Sequence, residues 1–151
     1  MAPDYRQTRR CKARTHRGHR CRRRITYHVE RCFEHDKNFF IRPSTIPGAG
    51  RGLFAKNGLV VGDVIDEYSG KLKTQEEYNR SDSVYGMRSR GMVIDASGTQ
   101  TCISRLINDG QIDSVNNCRF VSFRGRVLVV VIQPIPVGGE LLASYGPTYW
   151  S

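Results

Sequence analysis

Apolar residues in this chain come in short runs that are separated by glycine, proline and polar stretches. Residues 126–132 form the longest run, Arg-Val-Leu-Val-Val-Val-Ile, which is typical of a strand covered on both faces. Residues 59–65 predict another buried strand, and residues 91–96 predict a short strand. Short strands, frequent glycine turns and little helical periodicity together predict a mostly β domain.

The polar stretches between these runs predict connections and one short helix. Residues 38–45 are interpreted as a connector that Pro43 brings to an end, and residues 81–90 as a loop. Thr74 is followed by the sequence Gln-Glu-Glu. Because threonine caps helices and acidic residues favour the first helical turn, this order predicts a helix start.

The length of 151 residues fits one ordinary domain with room for a small module. No run approaches the roughly 18 apolar residues of a spanning helix. The N-terminus lacks the apolar segment of a signal peptide. We therefore expect a cytosolic or nuclear protein without a membrane segment. Its five cysteines should then be reduced or bound to metal.

Positive charge is concentrated at the N-terminal end of the chain. Residues 1–42 carry 13 Lys and Arg against 4 Asp and Glu, a net charge of +9, whereas residues 43–151 carry 11 against 10. A basic block dominated by arginine predicts a polyanionic partner, with nucleic acid as the first candidate. The alternative is a tail that only improves solubility.

Four residues of the basic segment have the spacing of a zinc site. Cys11, Cys21, Cys32 and His35 follow the pattern C-x9-C-x10-C-x2-H, which also resembles short Cys3His motifs. So short and charged a segment cannot bury enough apolar surface to fold unaided, which favours zinc over three unrelated reduced cysteines. The predicted organisation is a basic zinc-binding module at residues 1–42 and a second domain at residues 43–151.

Polar motifs adjoin the predicted strands of the second domain. They read Pro-Gly-Ala-Gly-Arg-Gly at 47–52, Asp-Glu-Tyr-Ser-Gly at 66–70, Arg-Leu-Ile-Asn-Asp at 105–109 with Asn-Asn-Cys at 116–118, and Glu-Leu-Leu-Ala-Ser-Tyr-Gly at 140–146. In this order they resemble the SET-domain family of protein lysine methyltransferases. The resemblance implies several small sheets of the β-clip type. It also implies a C-terminal pseudoknot, in which the last segment threads through the asparagine-containing loop.

The resemblance further implies S-adenosylmethionine as the cofactor and assigns residues to two roles. Tyr145 and Tyr68 are expected to line the channel for the target lysine and to be catalytic. The expected cofactor-binding residues are Gly48, Ala49, Gly50, Arg51, Gly52, Arg105, Asn108, Asp109, Asn117, Tyr145 and Trp150. The glycines could instead form an ordinary tight turn, and Tyr68 could be a half-buried strand aromatic.

The chain departs from the family pattern at several points. Asp109 stands where the family usually has histidine, and Gly110 stands in place of serine. The nine positions from Asn108 to Asn117 are a longer spacing than is common in the family. No Cys-rich segment follows Gly146, and the short C-terminus resembles compact viral SET proteins, in which an aromatic residue such as Trp150 could cover the site.

Two functions of different classes are consistent with these patterns. The first is a nuclear protein-lysine methyltransferase, monomeric or homodimeric, that acts on a histone or another lysine-containing protein. The second is a catalytically weak or inactive SET protein that binds nucleic acid or chromatin through its zinc module. Ala143 lies two positions before Tyr145, where the family often has an aromatic residue. This replacement is expected to leave room for more than one methyl group on the lysine.

Overall fold

The computed structural model describes residues 9–14, 16–22, 24–25, 38–97 and 102–146. The described residues fall into two compact units. The first unit lies within residues 1–36, 66–105 and 122–128, and the second within residues 37–65, 106–121 and 129–151. Strands predominate in both units, which confirms the mostly β class. No helix in the described ranges is long and apolar enough to cross a membrane.

Ten short strands, one α-helix and two 3₁₀ helices make up the regular structure of the described residues. The strands are β1 (Arg9–Arg10), β2 (Arg24–Ile25), β3 (Phe39–Pro43), β4 (Arg51–Ala55), β5 (Val64–Glu67), β6 (Lys71–Lys73), β7 (Gly86–Ser89), β8 (Met92–Asp95), β9 (Cys118–Phe123) and β10 (Arg126–Val131). The helix α1 is Gln75–Asn79, and the 3₁₀ helices are Ile103–Leu106 and Asp113–Val115. The sheets have the orders β1-β2, β3-β4, β5-β10-β9 and β6-β8-β7.

Strand β10 confirms the strand predicted at residues 126–132. It is the middle strand of its sheet, and Val127, Val129 and Val131 are almost completely buried. The buried strand predicted at residues 59–65 is wrong for residues 60–63, because strand β5 begins at Val64 and Leu59 makes only an isolated bridge with Ile135. Residues 60–63 form a turn that is closed by the Asp63 carboxylate. The valine side chains of this turn are exposed to solvent.

Strand β3 occupies the stretch interpreted as a connector, and that interpretation is wrong for residues 39–43. It pairs in antiparallel register with β4, and the ring of Phe40 stacks on Phe54 with 5.6 Å between centroids. Pro43 is tolerated at the last position because a two-stranded sheet leaves one side of each strand without a partner. The apolar residues at 39–41 are a better guide to this strand than the proline.

The sheet β6-β8-β7 contains one confirmed strand, β8, and two strands that the sequence did not indicate, β6 and β7. Strand β8 lies where residues 91–96 predicted it, but β7 falls inside the predicted loop at residues 81–90. Helix α1 begins after Thr74, which caps it in a reciprocal box with Glu77, as predicted. Burial opposes ionisation of Asp95 in β8, but hydrogen bonds from Lys73, Ser83 and Ser97 outweigh it and hold its pKa at about 2.

Candidate functional site

Residues 107–118 and residues 140–145 together form a feature that we call the C-terminal knot. The last segment runs between two parts of the preceding loop. Leu142 pairs in parallel with Asn108, and Ala143 pairs in parallel with Cys118. The Ala143 amide donates to the Asn108 carbonyl at 2.9 Å, and the Cys118 amide donates to the Leu142 carbonyl at 2.9 Å. The chain therefore has the threaded arrangement that a pseudoknot requires.

Asn117 joins the two parts of the knot through its side chain. Its Nδ2 donates to the Glu140 carbonyl at 2.9 Å, and its Oδ1 accepts from the Leu142 amide at 2.9 Å. This pattern matches the way a neighbouring strand would pair with residues 140–142. The carboxamide thus serves the protein backbone, and the predicted role of Asn117 in cofactor binding stays a prediction.

The glycine loop at residues 47–52 is fixed to the knot at both ends. Asn108 Nδ2 donates to the Arg51 carbonyl at 2.9 Å. The Glu140 carboxylate accepts hydrogen bonds from Ser44 Oγ at 2.6 Å and from the Thr45 amide at 2.8 Å. Any side chain at Gly52 would meet this carboxylate, so close packing explains this glycine. Glu140 was not predicted as a site residue, although a single carboxylate before an apolar segment is a visible signal.

The same loop has the open backbone that a bound cofactor needs. Gly48 and Gly50 adopt φ angles of +77° and +74°, and no atom beyond the adjoining residues would lie within 4 Å of a Cβ at either position. Both glycines are exposed, as is Arg51, while Ala49 is half-buried. A ligand can therefore approach this backbone closely on the side where a side chain would project. Gly48 and Gly50 fit S-adenosylmethionine on that ground, and cofactor binding by the rest of this loop stays a prediction.

Tyr145 is held at its backbone and at its hydroxyl group. Its amide donates to Asp109 Oδ2 at 2.9 Å, and its hydroxyl donates to the Ile107 carbonyl at 2.8 Å. Ile107 is almost fully buried. The knot therefore brings together Tyr145, Asn108, Asp109 and Asn117, four residues that the sequence assigned to one site.

The two substitutions at residues 109 and 110 fit the longer loop. Asp109 Oδ1 accepts from the Gln111 amide at 2.7 Å, and the Gly110 amide donates to Asn116 Oδ1 at 2.9 Å. A Cβ at Gly110 would lie 2.7 Å from Asn116 Oδ1 and 2.5 Å from a methyl group of Val115. The serine of the family pattern would clash at this position, so glycine accompanies the folded-back loop.

Two further predicted site residues, Tyr68 and Arg105, belong to the first unit. Tyr68 is nearly buried, and its hydroxyl donates to the Tyr85 carbonyl at 2.7 Å. Arg105 donates to the Ala96 carbonyl at 3.1 Å and places its guanidinium 5.3 Å from the Tyr85 ring centroid. Glu67, next to Tyr68, is buried and ion-paired with Arg126 at 2.9 Å. These contacts fix Tyr68 and Tyr85 in place. The roles of Tyr68 in the channel and Arg105 at the cofactor stay predictions.

The described residues between 9 and 25 form a second feature, which we call the basic hairpin. Strands β1 and β2 pair in antiparallel register, and the Cys21 amide donates to the Ala13 carbonyl at 2.8 Å. Cys11 is fully buried against Ala13 and Cys21. No group of three or more His, Cys, Asp or Glu that could hold a metal is found among the described residues. Cys32, His35 and Trp150 lie outside them.

Cys102, Cys118 and Ala143 have little access to solvent. Burial raises the pKa of Cys118 to about 12, and burial together with the charge of Asp66 raises the pKa of Cys102 to about 12. Both thiols therefore stay protonated at neutral pH. Ala143 is 0% exposed, so protein atoms enclose it. The expected space beside Ala143 is not open to solvent.

Comparisons with known proteins agree on one family and fold. The family model of the SET domain matches residues 50–146. Histone-lysine N-methyltransferase set-17 of Caenorhabditis elegans is 28% identical over 115 residues, which cover 74% of this chain and 42% of that protein. The chain therefore spans less than half the length of this curated relative.

A solved structure gives the same result for the fold. The methyltransferase domain of human PR domain-containing protein 2 superimposes with a TM-score of 0.62 at 19% sequence identity. The match covers 72% of this chain and 77% of that one. At this identity the likeness concerns the fold alone.

Proposed function

The chain belongs to the SET-domain family, and we propose that it is an S-adenosylmethionine-dependent protein-lysine N-methyltransferase that acts on a histone tail in the nucleus. The observation that carries this proposal is the two-point attachment of Tyr145 within the C-terminal knot. It holds the Tyr145 hydroxyl oxygen 2.8 Å from the carbonyl oxygen of Ile107, the residue that precedes Asn108 in sequence. The name of the nematode relative supports the substrate class.

The two oxygens suit the chemistry of lysine methylation. A free lysine amine has a pKa of about 10.4, and only its neutral form is nucleophilic. An apolar channel lined by tyrosine disfavours the ammonium form and thereby lowers that pKa. Tyr145 and the Ile107 carbonyl can accept hydrogen bonds from the amine and orient its lone pair. Bound S-adenosylmethionine supplies the electrophilic methyl group, and the exposed glycine loop with Asn108 would hold it.

Transfer of labelled methyl groups from S-adenosylmethionine to core histones and nucleosomes tests this function. Tyr145→Phe is the informative variant, because it removes the hydroxyl and leaves the hydrogen bond from the backbone amide of residue 145 to Asp109 in place. We expect turnover to fall about 100-fold or more, while affinity for S-adenosylmethionine changes less than about threefold. Parental turnover in Tyr145→Phe would remove Tyr145 from the mechanism. Absence of methyl transfer to every substrate would contradict the function itself.

We also propose that Cys11, Cys21, Cys32 and His35 bind one zinc ion. The hairpin supports this, since it brings Cys11 and Cys21 together, and the Ala13 amide lies 3.5 Å from Cys11 Sγ in a geometry that stabilises a thiolate. Purified protein should contain about one zinc per chain. Chelation should unfold the hairpin and spare the SET domain. A hairpin that keeps its structure without metal would contradict the site.

The exposed charge of the hairpin supports a role in nucleic-acid binding within chromatin. Lys12, Arg14, Arg17 and Arg22 are exposed on residues 9–25. A nucleic-acid or chromatin binder with weak catalysis is therefore the second candidate function. Histone methylation by the full chain would support the first candidate function. Nucleosome binding without methylation would support the second. Sedimentation of the full chain distinguishes the monomer from the homodimer.

A further inference from the structure

The carboxylate of Asp109 bonds to the backbone of two separate segments. Oδ2 accepts from the Tyr145 amide at 2.9 Å, and Oδ1 accepts from the Gln111 amide at 2.7 Å. Asp109 is only 5% exposed. Bonds from backbone amides to a carboxylate are charge-assisted and roughly twice as strong as neutral ones. The Asp109 side chain therefore joins the two segments of the knot, because it bonds to Tyr145 in one and to Gln111 in the other.

The loop that carries Asp109 is itself closed, so the carboxylate has little freedom to turn away. The Gly110 amide bonds to Asn116 Oδ1 at 2.9 Å, and Gln133 Nε2 donates to the Asn116 carbonyl at 3.0 Å. Gln111 adopts a left-handed φ of +64°, a conformation that the bond of its amide to Asp109 helps to hold. The loop thus presents the carboxylate in one orientation.

Three consecutive residues contact the segment that ends at Tyr145. The Ile107 carbonyl accepts from the Tyr145 hydroxyl, the Asn108 carbonyl accepts from the Ala143 amide, and the Asp109 carboxylate accepts from the Tyr145 amide. The first and third bonds act on opposite ends of one residue. Loss of the hydrogen bond from the Tyr145 amide to Asp109 would let the backbone of Tyr145 move while its hydroxyl stays bonded to Ile107. That movement would change the orientation of the Tyr145 ring.

We infer that Asp109 is a positioning residue, whose carboxylate sets the place of the Tyr145 hydroxyl at the reacting centre. This inference rests on the proposed role of Tyr145 in methyl transfer. In this chain a carboxylate at residue 109 makes a bond that links the loop directly to the proposed catalytic residue.

Asp109→Asn tests the inference in the full chain, because asparagine keeps the shape but has one acceptor oxygen for two amides. Asp113→Asn is the matched control, since it makes the same change at an exposed residue of the same loop. Hydrogen exchange of the Tyr145 and Gln111 amides, followed by NMR, does not depend on catalysis. We expect Asp109→Asn to speed exchange of at least one of these amides about tenfold. Parental rates at both amides, or an equal change in Asp113→Asn, would overturn the inference.

Kinetics of the same variants separate positioning from general damage to the fold. We expect Asp109→Asn to lower kcat about 10- to 100-fold, while KM for S-adenosylmethionine changes less than about threefold. A loss of kcat matched by an equal rise in KM and a lower Tm would make Asp109 a structural residue only. If the parent transfers no methyl group, the proposed function fails. Amide exchange would still show whether the Asp109 carboxylate holds the backbone of Tyr145 and Gln111.

Discussion

The C-terminal knot and the basic hairpin are both held by side chains that bond to backbone, but they engage different groups of the peptide unit. In the knot, Asp109 and Glu140 accept from backbone amides. In the hairpin, Arg20 Nε donates to the Cys11 carbonyl at 3.1 Å, and Arg10 Nη2 donates to the Arg20 carbonyl at 3.1 Å. The knot is therefore fastened by carboxylates and amides, and the hairpin by guanidinium groups.

The two regions also differ in what surrounds these bonds. The knot contains buried apolar residues such as Ile107 and Leu141, whereas the described residues of the hairpin have a core made only of Cys11 with Ala13 and Cys21. Hydrogen bonds in a buried setting are costly to lose, because the remaining partner cannot turn to water. The bond from Arg10 to the Arg20 carbonyl is exposed and can be replaced by water, whereas the bond from Arg20 to the Cys11 carbonyl is part-buried, like those of Asp109 and Glu140. The knot therefore has a larger buried core behind its hydrogen bonds than the hairpin, for which the proposed zinc site would be a further constraint.

Asn117→Ala should produce the largest effect and tests the stability of the knot. It leaves the Glu140 carbonyl and the Leu142 amide without their bonds to the carboxamide. We expect the free energy of unfolding to fall by about 2–4 kcal/mol, as measured by chemical denaturation. Asn57→Ala, an exposed control, should change it by less than about 0.5 kcal/mol. Equal losses of unfolding free energy in the two variants would mean that the hydrogen bonds of Asn117 contribute no more to stability than an exposed side chain does.

Glu140→Gln should have an intermediate effect, which falls on the glycine loop. Glutamine offers one acceptor oxygen, which can keep the bonds from Thr45, but the bond from the Ser44 hydroxyl must be lost or must reverse its direction. We expect a loss of about 1–2 kcal/mol in the free energy of unfolding and a roughly three- to tenfold weaker affinity for S-adenosylmethionine. Calorimetric titration measures the affinity. Glu76→Gln is the control, because the Glu76 side chain is 85% exposed. An unchanged affinity in Glu140→Gln would separate the carboxylate from the cofactor site.

The sequence was informative where local pattern decides structure. The apolar run of β10, the capping box at Thr74 and the order of the motifs predicted a strand, a helix start and the SET fold correctly. It failed where hydrophobic residues lie in a turn, as at Val60 and Val61, which are 63% and 60% exposed. The periodicity of hydrophobic residues alone does not show which apolar runs pair with a neighbouring strand.

The contacts of the knot could not be predicted, because they join distant parts of the chain. Glu140 and Thr45 are 95 residues apart in sequence, and Tyr145 and Asp109 are 36 apart. Motif resemblance placed Asn117 and Asp109 in a site, but their hydrogen-bond partners depend on the threading of the last segment. Sequence therefore indicated which residues belong together, and only the fold showed which groups they engage.

The smallest effect should come from the hairpin, where arginines divide into two sets. Arg10 and Arg20 bond to hairpin carbonyls, whereas Arg17 and Arg22 are exposed and bond to no other described residue. We expect Arg17→Ala with Arg22→Ala to weaken binding to a DNA duplex about three- to tenfold and to leave the hairpin folded. If each arginine contacts one phosphate, the slope of log affinity against log salt should become less steep by about 1.8.

Arg10→Lys with Arg20→Lys is the matched variant, because it keeps the charge and removes the two-pronged bonding of the guanidinium group. This pair should loosen the hairpin, seen as faster exchange of the Cys21 amide, and should keep the salt slope of the parent. A slope that drops equally in both pairs would mean that Arg10 and Arg20 also contact phosphate. The division into arginines that bond to hairpin carbonyls and arginines that contact phosphate would then be wrong. An unchanged slope in both pairs would instead place the polyanion elsewhere on the chain, and the contrast between knot and hairpin would rest on stability alone.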